Sequence, residues 1–238
     1  MPLKANTIYL LPSLLSEDHS LFFKSEYFQN FYGQIRHYIC ENEKVTRNFF
    51  KQIGTPVPQA DLNLIAQPKH NEDLTYINNF LTKNLQYPIG LVSDAGLPCV
   101  ADPGNKVVQM AYKLGIKVIP IVGPCSMIMA LMASGCNGQN FAFNGYLPIK
   151  ENEKKKEILR LQDRLLKENQ SQIFIETPYR NDQLFETFLK TLHPNIILSV
   201  SINLMNDESI SVSKKVIDWK KEKITIGKIP CVFVLGKD

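Results

Sequence analysis

The sequence lacks the features that mark membrane, disulfide-stabilised and zinc-binding proteins. Its 238 residues contain no apolar run close to the roughly 20 residues of a membrane span. The five cysteines are odd in number and scattered without a Cys-x-x-Cys pair, which argues against a disulfide framework and a structural zinc site. The four histidines are equally dispersed, so we expect no metal centre. The first residues show none of the basic, apolar and cleavage regions of a secretory signal, and we expect a cytoplasmic protein.

The glycine motifs of the commonest nucleotide-binding folds are also missing. There is no Gly-x-Gly-x-x-Gly and no Walker A loop, which disfavours NAD and ATP as ligands. The same absence disfavours the common Rossmann type of methyltransferase, whose glycine loop follows the first strand. The net charge is +4, with the excess mainly in the C-terminal half. Such a bias is compatible with nucleic acid as a partner without requiring it.

Short apolar runs and longer amphipathic runs predict two domains, 1–122 and 123–238. The first alternates strands with helices, which predicts an α/β domain with a parallel sheet and right-handed crossovers. In the second, strands bunch near the end, which predicts an α+β domain with a mixed or antiparallel sheet. The predicted strands are 7–12, 34–40, 62–66, 89–93, 117–122, 140–148, 172–176, 196–202, 209–212 and 230–235. The predicted helices are 20–32, 45–53, 71–85, 105–114, 125–134, 150–168 and 179–192.

Three turns rich in glycine and small residues follow predicted strands: 93–98, 101–104 and 123–126. Glycine permits close approach of the backbone to a ligand, and ligands of open α/β sheets bind at the carboxyl ends of strands. We therefore expect a cofactor here, with the first and third turns on adjacent strand-to-helix connections. Asp102 before Pro103 is typical of a helix cap. Asp94 has two interpretations that the sequence does not separate: its side chain contacts a ligand, or it forms a hydrogen bond within the loop.

Charged clusters in the second half each have two interpretations. The basic residues of 150–167 could form a phosphate-binding face, but the spacing of Glu151 and Lys155 favours an ordinary solvated helix. Lysines at 214–223 surround Trp219, the single tryptophan. Basic residues beside an aromatic ring can hold RNA, but we favour a polar loop anchored by a buried indole.

Glu176 and Arg180 end a predicted strand and open a predicted helix. One helical turn separates them, so their side chains can meet. Either they form a structural ion pair, or they act together and face a cleft between the domains.

Several motifs together resemble the tetrapyrrole-methylase-fold methyltransferases, within them the branch that 2′-O-methylates a cytidine of small-subunit ribosomal RNA. The similarity runs from about residue 44 to residue 190, with a fainter match at 227–234. The matching motifs are Leu-Val-Ser-Asp-Ala-Gly-Leu-Pro (91–98), Ala-Asp-Pro-Gly (101–104), Pro-Ile-Val-Gly-Pro-Cys-Ser (120–126), Ala-Leu-Met-Ala-Ser-Gly (130–135), Phe-Asn-Gly-Tyr-Leu-Pro (143–148) and Ile-Phe-Ile-Glu-Thr-Pro-Tyr-Arg (173–180).

The resemblance implies a two-domain tetrapyrrole methylase fold that binds S-adenosylmethionine between its domains. It also implies a homodimer, with ribosomal RNA or the small ribosomal subunit as partner. Glu176 and Arg180 would be catalytic residues in the cleft. The implied cofactor-binding residues are Ser93, Asp94, Ala95, Gly96, Pro98, Cys125 and Ser126.

The sequence departs from this family at two places. The loop after the first strand, 11–17, has no glycine, and 200–206 reads Val-Ser-Ile-Asn-Leu-Met-Asn where the ribosomal branch has Arg-Glu-Leu-Thr-Lys. Two alternatives therefore stay open. One is methylation of a tetrapyrrole or corrinoid precursor, and the other is a non-catalytic protein that binds S-adenosylmethionine.

Overall fold

The computed structural model describes residues 2–68 and 73–237. The chain divides into two compact units, 1–125 and 126–238, so the division falls three residues after the predicted boundary at residue 122. Within the described residues, the strands are β1 Thr7–Leu11, β2 His37–Cys40, β3 Asn63–Ala66, β4 Pro88–Val92, β5 Lys117–Pro120, β6 Phe141–Phe143, β7 Ser171–Ile175, β8 Ile197–Ile202, β9 Ile210–Lys215 and β10 Cys231–Gly236. The α-helices there are α1 Ser20–Phe23, α2 Glu26–Tyr32, α3 Glu43–Ile53, α4 Thr75–Lys83, α5 Asn105–Lys113, α6 Ser126–Ser134, α7 Glu151–Glu168, α8 Asn181–Thr191 and α9 Val216–Trp219.

The first unit contains a five-stranded parallel sheet with the strand order β3-β2-β4-β1-β5. Its strands are apolar on both faces because helices cover both sides. Ile8 of β1 packs into one buried cluster, whereas its neighbours Tyr9 and Leu11 pack into another. The second cluster is aromatic, with Tyr32 and Phe50 wholly buried. The predicted parallel α/β sheet is confirmed.

The second unit contains a mixed sheet with the order β6-β7-β10-β8-β9. β6 runs parallel to β7, and the remaining pairs are antiparallel. The cluster on one face joins the sheet to α7, α8 and α9 through side chains such as Phe174, Phe188 and Phe233. The predicted mixed sheet is confirmed.

Several predicted elements differ from the structure in their bounds, and three of them are instructive. The helix predicted at 20–32 is two helices, because Ser25 between them has extended backbone. The strand predicted at 140–148 is only Phe141–Phe143. The helix predicted at 71–85 is observed as α4, Thr75–Lys83, and its predicted residues 71 and 72 lie outside the described part of the chain.

The predicted capping role of Asp102 is wrong. Helix α5 begins at Asn105, and its N-cap is Gly104 with a φ of 134°, without a side-chain cap hydrogen bond. A Cβ at Gly104 would lie 2.7 Å from the sulfur of Cys99, so this position needs glycine. Asp102 therefore belongs to the loop before the helix.

Candidate functional site

The carboxyl ends of the parallel strands place four loops at one edge of the first sheet. These loops follow β1, β2, β4 and β5. The loops after β4 and β5 lie at the same edge, as predicted, but they are not adjacent, because β1 lies between those two strands. The loop after β1, which has no glycine, therefore lies between the loops after β4 and β5.

The loop after β4, residues 93–104, holds most of the predicted cofactor residues. Ser93 is buried directly after the strand, and its hydroxyl donates to the carbonyl of Ala95 at 3.4 Å. Gly96 has a left-handed φ of 75°, and its carbonyl accepts the backbone N–H of Ser13 at 2.8 Å. Pro98 is also buried, whereas Ala95 is exposed. The loop is thus held at its start by the sheet and in its middle by the β1 loop.

The second half of the same loop has strained backbone. Cys99 and Ala101 have φ values of 69° and 63°, in the left-handed region that disfavours residues with a Cβ. Such positions cost on the order of 1–3 kcal/mol each and cluster at functional sites. The strain supports the choice of this loop as a ligand site.

Two glycines let the loops after β1, β4 and β5 pack closely. A Cβ at Gly123 would overlap the ring of Pro12, and a Cβ at Gly96 would lie 3.1 Å from Leu15 and 3.4 Å from the carbonyl of Pro124. Proline and leucine of the β1 loop therefore fill space that the two glycines leave open. The hydroxyl of Tyr32 donates to the carbonyl of Pro12 and helps to hold the β1 loop in place.

Three carboxylates gather at this edge: Glu41, Asp94 and Asp102. Glu41 follows β2 directly, and its Oε2 accepts the backbone N–H of Asp94 at 3.3 Å. The pKa of Asp102 is raised to about 6, mainly by burial and then by the charges of Glu41 and Asp94, with a hydrogen bond to Ser93 acting in the opposite direction. Like charges held together in partial burial favour a cation between them. The site can therefore attract a positively charged group.

Sequence reasoning missed Glu41 as a site residue. Its signal was its position, directly after a buried strand and before Asn42, whose side chain caps α3 by accepting the N–H groups of Lys44 and Val45. A carboxylate between a strand end and a helix cap is fixed at the sheet edge where ligands bind.

The two predicted cofactor residues Cys125 and Ser126 lie at the division of the chain. Cys125 is the last residue of the first unit and is partly buried. Ser126 begins α6, and its hydroxyl donates to the sulfur of Met127 at 3.4 Å.

Glu176 and Arg180 form an ion pair in the second unit. Oε1 of Glu176 accepts from Nη2 of Arg180 at 2.7 Å, from its Nε at 3.1 Å and from the backbone N–H of Thr177 at 2.7 Å. The side chain of Glu176 is 2% exposed and that of Arg180 is 32% exposed. Glu176 thus serves as the buried acceptor that orients the guanidinium of Arg180 across the short turn Pro178–Arg180.

The two basic clusters follow the favoured interpretations. On α7, Lys155 pairs with Glu151 at 3.5 Å as its spacing predicts, and Arg160 and Arg164 also pair with carboxylates of their own helix. Trp219 is 2% exposed, and its indole N–H donates to the carbonyl of Leu198 at 2.7 Å. The indole of Trp219 is therefore buried and does not present its ring to bases.

Within residues 2–68 and 73–237, no group of three His, Cys, Asp or Glu side chains is arranged to hold a metal ion. No helix of the described chain has the length and apolarity to cross a membrane.

Comparison with known proteins gives relatives in sequence and in fold. No protein-family model matches the sequence. Three curated proteins, all named ribosomal RNA small subunit methyltransferase I, are similar to it. The Vibrio cholerae protein is 39% identical over 44% of this chain and 35% of its own length. The Pseudomonas aeruginosa protein is 39% identical over 59% of this chain and 47% of its own length. The Bacillus subtilis protein is 37% identical over 76% of this chain and 61% of its own length.

The solved structure of uroporphyrin-III-C-methyltransferase from Thermus thermophilus matches with a TM-score of 0.55. The match covers 98% of this chain and 94% of that one at 14% identity, which establishes the fold. The chain spans about one third to three fifths of the length of the curated relatives above. The chain therefore has the tetrapyrrole methylase fold and is a homologue of the proteins named ribosomal RNA small subunit methyltransferase I.

Proposed function

We propose that this protein is an S-adenosylmethionine-dependent methyltransferase that methylates a ribose 2′-hydroxyl of ribosomal RNA. The observation that carries the proposal is the group of three carboxylates beside the glycine loop after β4. Homology to proteins named ribosomal RNA small subunit methyltransferase I supports ribosomal RNA as the substrate. A ribosomal RNA substrate would place the protein in the cytoplasm, and we propose that location.

The residues of the sheet edge fit the cofactor. When bound, the cofactor supplies a methyl group on a positively charged sulfonium. Glu41, Asp94 and Asp102 provide negative charge for that cation, and the backbone of Gly96 leaves room for close approach. Ser93, Ala95, Pro98, Cys125 and Ser126 complete the proposed cofactor set. Holding donor and acceptor in line is the main contribution of such a site to the rate.

The charge on the cofactor gives a sharp test. S-adenosylhomocysteine, the demethylated product, differs from the cofactor in lacking the sulfonium charge. We expect Asp102→Asn to weaken binding of S-adenosylmethionine about tenfold, the effect of roughly 1.4 kcal/mol, and to leave binding of S-adenosylhomocysteine unchanged. Isothermal titration calorimetry measures both affinities, with Asp61→Asn, an exposed aspartate of the same unit, as the matched control. Equal losses for the two ligands would contradict a role of Asp102 toward the cation.

The acceptor is tested on ribosomes. Small ribosomal subunits that lack the modification are incubated with the protein and S-adenosylmethionine carrying a tritiated methyl group. Incorporation of the label into RNA would support the proposal if the methyl group maps to a 2′-oxygen, where it makes the adjacent linkage resistant to alkaline hydrolysis. Tight cofactor binding without incorporation would favour the non-catalytic alternative. That alternative has a structural reason, because Pro12 and Leu15 of the β1 loop occupy the space beside the glycines of the neighbouring loops.

We propose that Glu176 and Arg180 act on the acceptor side, with Glu176 orienting Arg180. Glu176→Gln keeps the size of the side chain but removes the charge that pairs with the guanidinium. We expect turnover to fall at least tenfold with cofactor affinity unchanged. Glu157→Gln, which breaks an ion pair of the same type with Arg160 on α7, is the control. Turnover equal to that of wild type would reduce the pair to a structural role.

We also propose a homodimer. Helix α6 buries Met127 and Leu131 on one face, while Ile128 and Met132 are exposed on another, Met132 by 78%. Two apolar side chains four residues apart form a stripe suited to a second copy. Light scattering coupled to gel filtration gives the mass, and a dimer that Met132→Glu dissociates would support this assignment.

A further inference from the structure

Tyr179 is the most exposed large apolar or aromatic side chain of the described residues, at 79%. It lies in the turn Pro178–Arg180 that precedes α8. The turn is rigid because the N–H of Arg180 donates to the carbonyl of Thr177 and the Arg180 guanidinium is held by buried Glu176. An aromatic ring on a fixed turn loses little conformational freedom when it stacks against a partner.

A lysine covers part of this ring. Nζ of Lys228 lies 5.2 Å from the centroid of Tyr179, within the range of a cation–π contact. Lys228 itself is exposed. With one cation over the ring and 79% of the side chain accessible, Tyr179 keeps room for a flat ligand.

The loop that carries Lys228 is tied to the start of α8. Asp182 accepts the backbone N–H of Ile226 at 2.6 Å and that of Gly227 at 3.2 Å. Asn181 donates from its side-chain amide to the carbonyl of Ile229 at 2.7 Å. The lysine and the tyrosine therefore share one rigid support.

The surrounding segment is basic. Residues 220–228 contain four lysines and one glutamate. Lys221 pairs with Asp218, and Glu222 pairs with Lys214. Within the part of the chain that the structure describes, Lys223 and Lys228 form no ion pair, so their charges are available to a ligand.

We propose that Tyr179 stacks against an unpaired base of the RNA substrate while Lys228 and Lys223 contact the neighbouring phosphates. An exposed aromatic ring beside a basic side chain, here Tyr179 and Lys228, is an arrangement with which proteins bind single-stranded nucleic acid. The buried Trp219 is excluded from this role, although the sequence places it inside the basic cluster. This inference rests on the proposed function and identifies the part of the second unit that holds the substrate.

The test measures RNA binding by anisotropy of a fluorescein-labelled single-stranded oligouridine, and then by competition with unmodified small ribosomal subunits. Tyr179→Ala should weaken binding roughly 5- to 150-fold, the usual effect of losing one stacked base. Tyr179→Phe should bind like wild type. Lys228→Gln should lower the slope of log affinity against log salt by about 0.7, the value for one phosphate contact to a single strand. Tyr112→Ala, an exposed tyrosine of α5, is the control.

The outcomes separate this inference from the proposed function. If wild type binds and methylates RNA but Tyr179→Ala binds equally well, the stacking role is wrong and the enzyme assignment stands. If Tyr179→Phe is as weak as Tyr179→Ala, the hydroxyl rather than the ring is used, which also overturns stacking. If wild type binds S-adenosylmethionine but neither binds nor methylates RNA, the proposed acceptor fails and this inference fails with it.

Discussion

Asp102→Asn is expected to stabilise the folded protein at neutral pH. The pKa of Asp102 is raised from 3.8 to about 6 by burial and by neighbouring carboxylates. The folded state therefore holds the proton more tightly than the unfolded state, and stability falls as pH rises through this window. At about 1.36 kcal/mol per unit, the full change would be about 3 kcal/mol, and partial solvent exposure reduces it to about 1–2 kcal/mol.

Roughly half of that change falls between pH 5 and pH 7.5, because the unfolded state has already lost most of this proton at pH 5 and the other half of the change lies below that pH. Asparagine keeps the shape and cannot ionise, so the stability gained by the variant should grow by about 1 kcal/mol across this range. Urea unfolding followed by circular dichroism at pH 5, 6 and 7.5 measures the difference. Asp61→Asn provides the control, since Asp61 is exposed. A difference between variant and wild type that is constant with pH would refute the reasoning.

Three further expectations rest on separate contacts. Gly123→Ala should destabilise the first unit by about 1–3 kcal/mol, because the new methyl group overlaps Pro12; urea unfolding measures it, and an unchanged midpoint would contradict the close packing. Trp219→Phe should cost about 2–4 kcal/mol, since it removes the hydrogen bond to Leu198 and part of the edge contact with Phe185; a loss below 1 kcal/mol would count against that anchor. Affinity for S-adenosylmethionine should rise from pH 5 to pH 7 as Asp102 loses its proton, with no such trend in calorimetry of Asp102→Asn.

Local patterns predicted most elements and the site loop, because strand ends and glycine turns are encoded by neighbouring residues. The apolar run before Ser93 and the turn at Gly96 are examples. The inward position of Trp219 was also predictable, since one indole among lysines is more stable buried.

Long-range order could not be predicted in the same way. Nothing near β1 indicates that it separates β4 from β5, so the packing of Leu15 on Gly96 had no local signal. Glu41 approaches Asp94 only because β2 and β4 are neighbours in the sheet. The Asp-Pro pattern at 102 predicted a cap, yet the N-cap of α5 is Gly104, which packs closely against Cys99.

The position of β1 between β4 and β5 also governs the order in which the first unit can form during synthesis. Thr7 is paired with Pro88 on one side and Lys117 on the other, so the first strand made waits for partners made much later. At roughly 5–20 residues per second, translation leaves this apolar strand without neighbours for about 5–20 seconds. Nascent chains that stop before β5 would expose β1 as an open edge, which favours aggregation and chaperone binding over productive folding. The sheet edge that carries the candidate site is thus completed only after most of the first unit has left the ribosome.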